Sequence, residues 1–221
     1  MKRKNILSMI SKMSDDELMD FAYETTDVKA LDILVEDKRW YVRQGVAKNN
    51  LATDEILHKL AKDKEPFVRT AIAENENAPN DLLVMLAQDE HYWVRIAIAE
   101  NTKTPPEILS ELAIDGNSDV RETVAENPNT PLKALESLAE DESRYVRWAV
   151  AQNKNTPVKI LAQLVEDEEA NIRYTIAKNP YTPVEGLAML AKDKDKWVSE
   201  KAQYAIKGRR LQKNKNQNEE R

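Results

Sequence analysis

The chain has 221 residues, of which 41% are hydrophobic and 33% charged, and its formal net charge is −6. This apolar fraction excludes a disordered chain, and no apolar run approaches the roughly 18 residues of a membrane helix. Cysteine is absent, which excludes disulfides, a thiol nucleophile and thiolate metal ligands. The segment after the basic N-terminus is too short and polar for a signal-peptide core, so we expect a cytoplasmic protein.

The first predicted element is a helical cap over residues 1–23, which lacks the pattern that follows it. Ser14 and Glu17 have the spacing of a capping box, which predicts a helix start at this point. Residues 24–37 then read as half of a repeating unit, because they end in the leucines and the aspartate that close every later unit.

A 26-residue repeat occupies the chain from residue 24 to residue 207. Each full copy contains a Val-Arg or Ile-Arg pair, an Asn six residues after the Arg, two leucines three residues apart, and a closing Asp. The pairs begin at residues 42, 68, 94, 120, 146 and 172. Six copies without an insertion predict an array of identical structural units.

Each copy of the repeat predicts two short helices. Val146, Val150 and Ala151 form one apolar stripe on the first helix, and we expect Asn153 to end that helix in the left-handed conformation. The second helix is expected to begin at Thr-Pro, with Thr156 as N-cap and Pro157 at its first position. Helices this short are unstable alone, so stacking of neighbouring copies must stabilise them. The prediction is an all-α solenoid of 26-residue two-helix repeats, with six full units plus terminal half-units and caps.

The Arg and Asp of the repeat form two ladders of opposite charge. Asp63 lies six residues before Arg69, and this offset recurs in every unit. A feature shared by all copies is typical of what holds the copies together. We therefore expect an Asp–Arg pair that ties each loop to the next helix, in preference to an anion-binding strip.

The C-terminal residues 208–221 are basic and rich in Lys, Asn and Gln, which predicts a disordered tail. The segment from residue 207 onward carries six basic and two acidic residues, so residues 1–206 hold a net charge of −10. An acidic body of this kind repels phosphate backbones.

The consensus V-R-x-x-V-A-x-N-x-N-T-P-x-x-x-L-x-x-L-A-x-D resembles the variant leucine-rich repeat family. Residues 120–141, VRETVAENPNTPLKALESLAED, carry it nearly whole. The resemblance implies a right-handed superhelix of paired short helices, broadly similar to HEAT repeats. One branch of the family has a cysteine-bound iron–sulfur cluster, which a chain without cysteine cannot carry over. The family implies no shared reaction, so the resemblance leaves the function open.

A candidate partner-binding ridge lies on the first helices, at positions four residues apart that the repeat leaves variable. Its candidate residues are Trp40, Tyr92, Ile96, Glu122, Glu126, Arg144, Trp148 and Tyr174. Aromatic and Arg side chains are favoured in binding hot spots, and the acidic centre would select a basic partner. The alternative is that these side chains cover neighbouring helices. A second aromatic series precedes the Val-Arg pair and is expected to pack at the joints between units: Tyr41, Phe67, Trp93, Tyr145 and Trp197.

The sequence predicts neither a catalytic site nor a metal or cofactor. It contains no phosphate-binding glycine loop and no nucleophile elbow, and His58 and His91 occupy different positions of their repeats. We therefore expect a non-catalytic scaffold that binds a protein or peptide, with no membrane association and an open oligomeric state. The alternative is a nucleic-acid-associated protein similar to HEAT-like alkylation-repair glycosylases, with Trp148 near Glu122 or Glu126. The acidic body counts against it.

Overall fold

The computed structural model describes the backbone of residues 3–219 and the side chains of residues 3–212. Over these residues every regular secondary-structure element is a helix, and turns and short loops connect the helices. The helices are α1 (Arg3–Ile10), α2 (Asp15–Glu24), α3 (Val28–Leu34), α4 (Trp40–Lys48), α5 (Asp54–Leu60), α6 (Pro66–Ala73), α7 (Asn80–Leu86), α8 (Tyr92–Glu100), α9 (Pro106–Leu112), α10 (Ser118–Glu126), α11 (Leu132–Leu138), α12 (Arg144–Gln152), α13 (Val158–Leu164), α14 (Ala170–Lys178), α15 (Val184–Leu190) and α16 (Lys196–Glu219). Each full repeat supplies two of them, as the sequence predicts.

The chain forms two compact units, an N-terminal unit that ends at Ile108 and a C-terminal unit that begins at Leu109. In the N-terminal unit, α2, α4, α6 and α8 pack in series. In the C-terminal unit, α10, α12, α14 and α16 do the same. Second helices contact the first helices beside them: α5 contacts α4 and α6, and α11 contacts α10 and α12. Stacking of short helices is thus the main tertiary contact within each unit.

The predicted capping box and the predicted apolar stripe are confirmed. Ser14 Oγ accepts from the Glu17 amide at 3.3 Å, and the Glu17 carboxylate accepts from the Ser14 amide at 2.8 Å, which completes the capping box. Val146, Val150 and Ala151 are fully buried. Close helix packing also explains why small residues recur two positions after the Arg of the repeat. A Cβ on Gly45 would lie 3.0 Å from the Met19 carbonyl oxygen.

The Thr-Pro step differs from the sequence prediction. Pro157 occupies the N-cap of α13, and the hydroxyl of Thr156 donates to the Val150 carbonyl at 2.6 Å. Thr104 and Thr182 make the same bond to the carbonyl six residues earlier, at 2.6 Å each. Threonine therefore closes the loop back onto the preceding helix. Where Thr53 replaces the proline, its hydroxyl caps α5 by accepting from the Ile56 amide at 3.4 Å.

The Asn prediction is right about the helix end and wrong about the backbone. Asn153 has φ −62° and ψ 124°, an extended conformation, and no described non-glycine residue has positive φ. Its side-chain nitrogen Nδ2 donates to the carbonyls of Ala125 at 2.7 Å and Asn127 at 3.1 Å in the preceding repeat. Its Oδ1 accepts from the Asn155 amide at 2.9 Å. The residue recurs because it satisfies buried carbonyls of the previous copy, which would otherwise be costly to bury.

The Asp–Arg ladders are structural, but the pairing differs from the predicted one. Arg69 Nη1 donates at 2.7 Å to the backbone carbonyl of Asp63, six residues earlier. Its other nitrogens form a bidentate pair, at 2.5 and 2.9 Å, with the carboxylate of Asp89, twenty residues later. The carboxylate of Asp63 in turn accepts two hydrogen bonds from the guanidinium of Arg43. Arg43, Arg121, Arg147 and Arg173 make the same two contacts, so each of these arginines fastens the loop before its own repeat to the loop after it.

The last helix extends into the segment that the sequence predicts to be a disordered tail. The backbone of α16 continues as a helix past Gly208 to Glu219. Lys, Gln and Arg, which are frequent in this segment, are good helix formers. Arg209 also donates to the carbonyls of Thr182 and Pro180, both at 2.7 Å. The helix is therefore held to the preceding loop at this point. The side chains of residues 213–221 lie outside the described part of the chain.

Candidate partner-binding surface

A cavity of about 580 Å³ lies between α12 and α14 in the C-terminal unit. Both helices are first helices of their repeats, so their ridge positions face the same side. Arg144, Trp148 and Gln152 line the cavity from α12, and Tyr174 and Lys178 line it from α14. The four-residue spacing on each helix brings these side chains into one row.

Trp148 forms a fixed wall of this cavity. Its indole nitrogen donates to the Thr175 hydroxyl at 3.1 Å, and that hydroxyl donates to the Asn171 carbonyl at 2.9 Å. The residue is nevertheless 36% exposed. An aromatic ring that is anchored at its polar atom and open on its apolar surface suits contact with a partner, because little side-chain entropy remains to be lost.

Arg144 and Tyr145 form the edge of the cavity at the start of α12. The guanidinium donates to the Tyr145 hydroxyl at 3.1 Å and lies 5.0 Å from the centre of that ring. This hydrogen bond is the main cause of the raised pKa of Arg144. Glu169 lies 3.7 Å from the same guanidinium, a distance that allows only a weak ion pair at an exposed site.

Two smaller cavities extend this surface toward α16. One, of about 280 Å³, is lined by Tyr174, Asp195 and Trp197 among others. The other, of about 450 Å³, is lined by Tyr174, Trp197, Lys201 and Tyr204 with Glu200. Tyr174 borders all three cavities and so lies at the centre of the surface.

The structure brings together three of the residues proposed from the sequence, Arg144, Trp148 and Tyr174. Glu122 and Glu126 lie on α10 and do not line the cavity. Burial raises the pKa of Glu122, and the charges of Glu126 and Asp119 raise it further.

Trp40, Tyr92 and Ile96, the other candidates, lie in the N-terminal unit. Tyr92 and Ile96 are half-buried, whereas Trp40 starts a row of exposed rings. The rings of Trp40 and Phe67 are 5.2 Å apart, and those of Phe67 and Trp93 are 6.0 Å apart. The three residues are 38, 43 and 45% exposed, respectively.

The second aromatic series is thus more exposed than the sequence predicts. Phe67 and Trp93 contact rings of other repeats while remaining open to solvent, and Trp197 is 73% exposed. The position lies next to a buried Val, at the border of the core-facing stripe, so a bulky ring there projects outward. In the sequence, this border position is what could have indicated that four of these residues lie at the surface: Phe67, Trp93, Tyr145 and Trp197.

No three His, Asp or Glu side chains are grouped in the described part of the chain so as to hold a metal ion. No helix in it is both long and apolar enough to cross a membrane.

Comparison with known proteins shows what the repeat and its fold are similar to. Residues 119–143 match the family model described as leucine rich repeat variant. This segment is therefore similar to a leucine rich repeat variant. A solved structure described as a leucine-rich repeat variant with a novel repetitive structural motif is 23% identical. The match covers 91% of this chain and 81% of that one, with a TM-score of 0.72. The predicted family resemblance and all-α repeat fold are confirmed.

Other solved structures are less similar to this chain. Escherichia coli YibA is 19% identical, with 93% of this chain and 74% of that chain covered and a TM-score of 0.48. Computationally designed armadillo repeat proteins for modular peptide recognition are 14% identical, with 92% and 98% covered and a TM-score of 0.26. Superpositions this loose carry no argument about function. Comparison with curated protein sequences finds no match.

Proposed function

We propose that this chain is a non-catalytic scaffold that binds a protein or peptide partner through the cavity between α12 and α14. The observation that carries the proposal is that the exposed Trp148 and the half-buried Tyr174 border a cavity of about 580 Å³. A cavity of this size can take one or two side chains of an extended segment.

Stacking of the repeats does not require these aromatic side chains. The positions equivalent to Trp148 in earlier repeats hold Gln44, Thr70, Ile96 and Glu122. All these repeats form the same pair of helices. The aromatic residues at the cavity therefore have no common structural role, which leaves partner contact as the role that the geometry supports.

The energetics also favour a binding role. Trp, Tyr and Arg are the side chains that dominate binding free energy when a partner covers them. Here all three types line one cavity, and the indole of Trp148 is already held by Thr175. Binding to a surface that is already ordered avoids part of the entropic cost of association.

The test is capture of partners from a native lysate with the full chain and with the double variant Trp148→Ala, Tyr174→Ala. A matched control is the double variant Tyr181→Ala, Met189→Ala, whose exposed side chains lie outside the cavity. We expect a protein that the wild type and the control retain, and whose affinity for the cavity variant is at least about tenfold lower.

Two results would contradict the proposal. A protein retained equally by all three baits would bind elsewhere on the chain. Nucleic acid retained equally by all baits and released by salt would favour the nucleic-acid-associated function instead.

A further inference from the structure

Three cations border the cavities around Tyr174, and each lies over a tyrosine ring. The pairs are Arg144 with Tyr145 at 5.0 Å, Lys178 with Tyr174 at 5.9 Å, and Lys201 with Tyr204 at 5.6 Å from the ring centre. Contact with a ring face holds a cation in place without neutralising its charge. The surface therefore presents fixed positive charges, although the protein as a whole carries −6.

The carboxylates that line the same cavities are already engaged. Glu169 pairs with Arg144 at 3.7 Å, and Glu200 pairs with Lys196 at 3.7 Å. The third, the Asp195 carboxylate, accepts from the backbone amides at the start of α16, those of Trp197 at 2.9 Å and Val198 at 3.1 Å. None of the three forms an ion pair with Lys178 or Lys201.

Lys178 and Lys201 have no such partner. Neither forms an ion pair with any described residue, and Lys178 is exposed at the end of α14. The unengaged acidic residues of the ridge, Glu122 and Glu126, lie on α10 and line none of these cavities. Two lysines that form no ion pair with a described residue, both bordering cavities that Tyr174 lines, are thus complementary to negative charge on a partner.

We propose that the surface around Tyr174 binds an acidic peptide segment, in which carboxylates flank an apolar side chain. The carboxylates pair with Lys178 and Lys201, and the apolar side chain covers the rings of Trp148 and Tyr174. This inference rests on the proposed scaffold function and specifies its partner. It also differs from the basic partner that the acidic ridge predicts, because the acidic side chains do not lie at the cavities. Charge-assisted hydrogen bonds supply specificity, and the aromatic contacts supply apolar burial.

The experiment is fluorescence anisotropy of the full chain with three labelled peptides of equal length. Each peptide has a central Leu-Phe pair, flanked by Glu and Asp in the first, by Gln and Asn in the second, and by Lys in the third. We expect the acidic peptide to bind about tenfold more tightly than the amide peptide at low ionic strength. At roughly 1 M salt the preference should largely disappear, because exposed charges are then screened.

Variants separate this inference from the proposed function. The double variant Lys178→Gln, Lys201→Gln should weaken binding of the acidic peptide about five- to tenfold and leave the amide peptide unchanged. The control variant Lys192→Gln, Lys194→Gln removes the same charge from exposed positions outside the cavities and should change affinity less than about twofold. Trp148→Ala should weaken the acidic and the amide peptides alike.

The outcomes are distinct. Equal affinity for the three peptides, with dependence on Trp148, would overturn the acidic preference and leave the scaffold function standing. No binding of the acidic peptide at millimolar concentration would also overturn the preference, as would an equal loss in the control variant. Acidic-peptide binding that Trp148→Ala does not affect would place the site elsewhere and contradict the proposed function. Tighter binding of a short single-stranded oligonucleotide, again lost with Lys178 and Lys201, would replace the acidic peptide by nucleic acid.

Discussion

Replacing Arg121 by Met should remove one of the clamps between repeats. The guanidinium of Arg121 forms a bidentate pair with Asp141 at 2.6 and 2.9 Å and donates to the Asp115 carbonyl at 2.8 Å. The side chains of Arg121 and Asp141 are only 11 and 9% exposed. Methionine preserves much of the aliphatic packing but none of these hydrogen bonds.

The substitution should lower the free energy of unfolding because it leaves buried acceptors of Arg121 without their donor. The carboxylate of Asp141 would keep only the Ser143 amide, at 2.8 Å, as a donor, and the Asp115 carbonyl would lose its bond to Arg121. Breaking a buried pair from one side costs about 3–5 kcal/mol, and the slight exposure of this pair favours the lower end. We therefore expect the free energy of unfolding to fall by about 3 kcal/mol.

The assay is urea unfolding followed by circular dichroism, with the free energy of unfolding taken from the midpoint and the slope. Arg144→Met is the matched control, since its side chain is 57% exposed, and it should cost less than about 0.5 kcal/mol. A double-mutant cycle with Asp141→Asn should give a coupling energy of about 2 kcal/mol. A loss below about 1 kcal/mol for Arg121→Met, or equal losses for both arginines, would refute the role of the ladder as a clamp.

Three further predictions concern stability. Asn153→Ala should lower the free energy of unfolding by about 2–3 kcal/mol in the same urea assay, because carbonyls of the preceding repeat lose their donor; a loss below 0.5 kcal/mol would contradict this. Burial raises the pKa of Asp63 and Asp141, but hydrogen bonds from their arginines and from backbone amides outweigh it, so both pKa values lie below the ordinary value. Their stabilisation is therefore present above about pH 4 and is lost as the pH falls through the lowered pKa values; urea midpoints that do not change between pH 5 and pH 2 would exclude it. Gly45→Ala should lower the melting temperature because its Cβ would meet backbone at 3.0 Å, whereas Gly208→Ala, which meets nothing within 4 Å, should add about 0.5–1 kcal/mol of helix stability. Calorimetry of the two variants checks that the shifts have opposite signs.

The candidate site was partly accessible from the sequence. Trp148 and Tyr174 occupy the same position in successive 26-residue repeats, and stacked repeats place equivalent positions side by side. The sequence could not show that Trp197 and Lys201 of the last helix extend the same surface, because their repeat departs from the consensus. Nor could it show which carboxylates are already engaged, since that depends on distances between loops.

Local rules account for what the sequence alone determined: the two short helices of each repeat, their buried stripe and the capping box at Ser14. Each depends on residues within about one or two helical turns, so spacing suffices to predict it. The pairing of each Arg needed the tertiary structure, because an Asp lies both six residues before it and twenty residues after it. Stacking places the carbonyl of the first and the carboxylate of the second around one guanidinium. The same stacking leaves Lys178 and Lys201 beside tyrosine rings and without an ion pair to any described residue, a result that depends on where neighbouring helices lie.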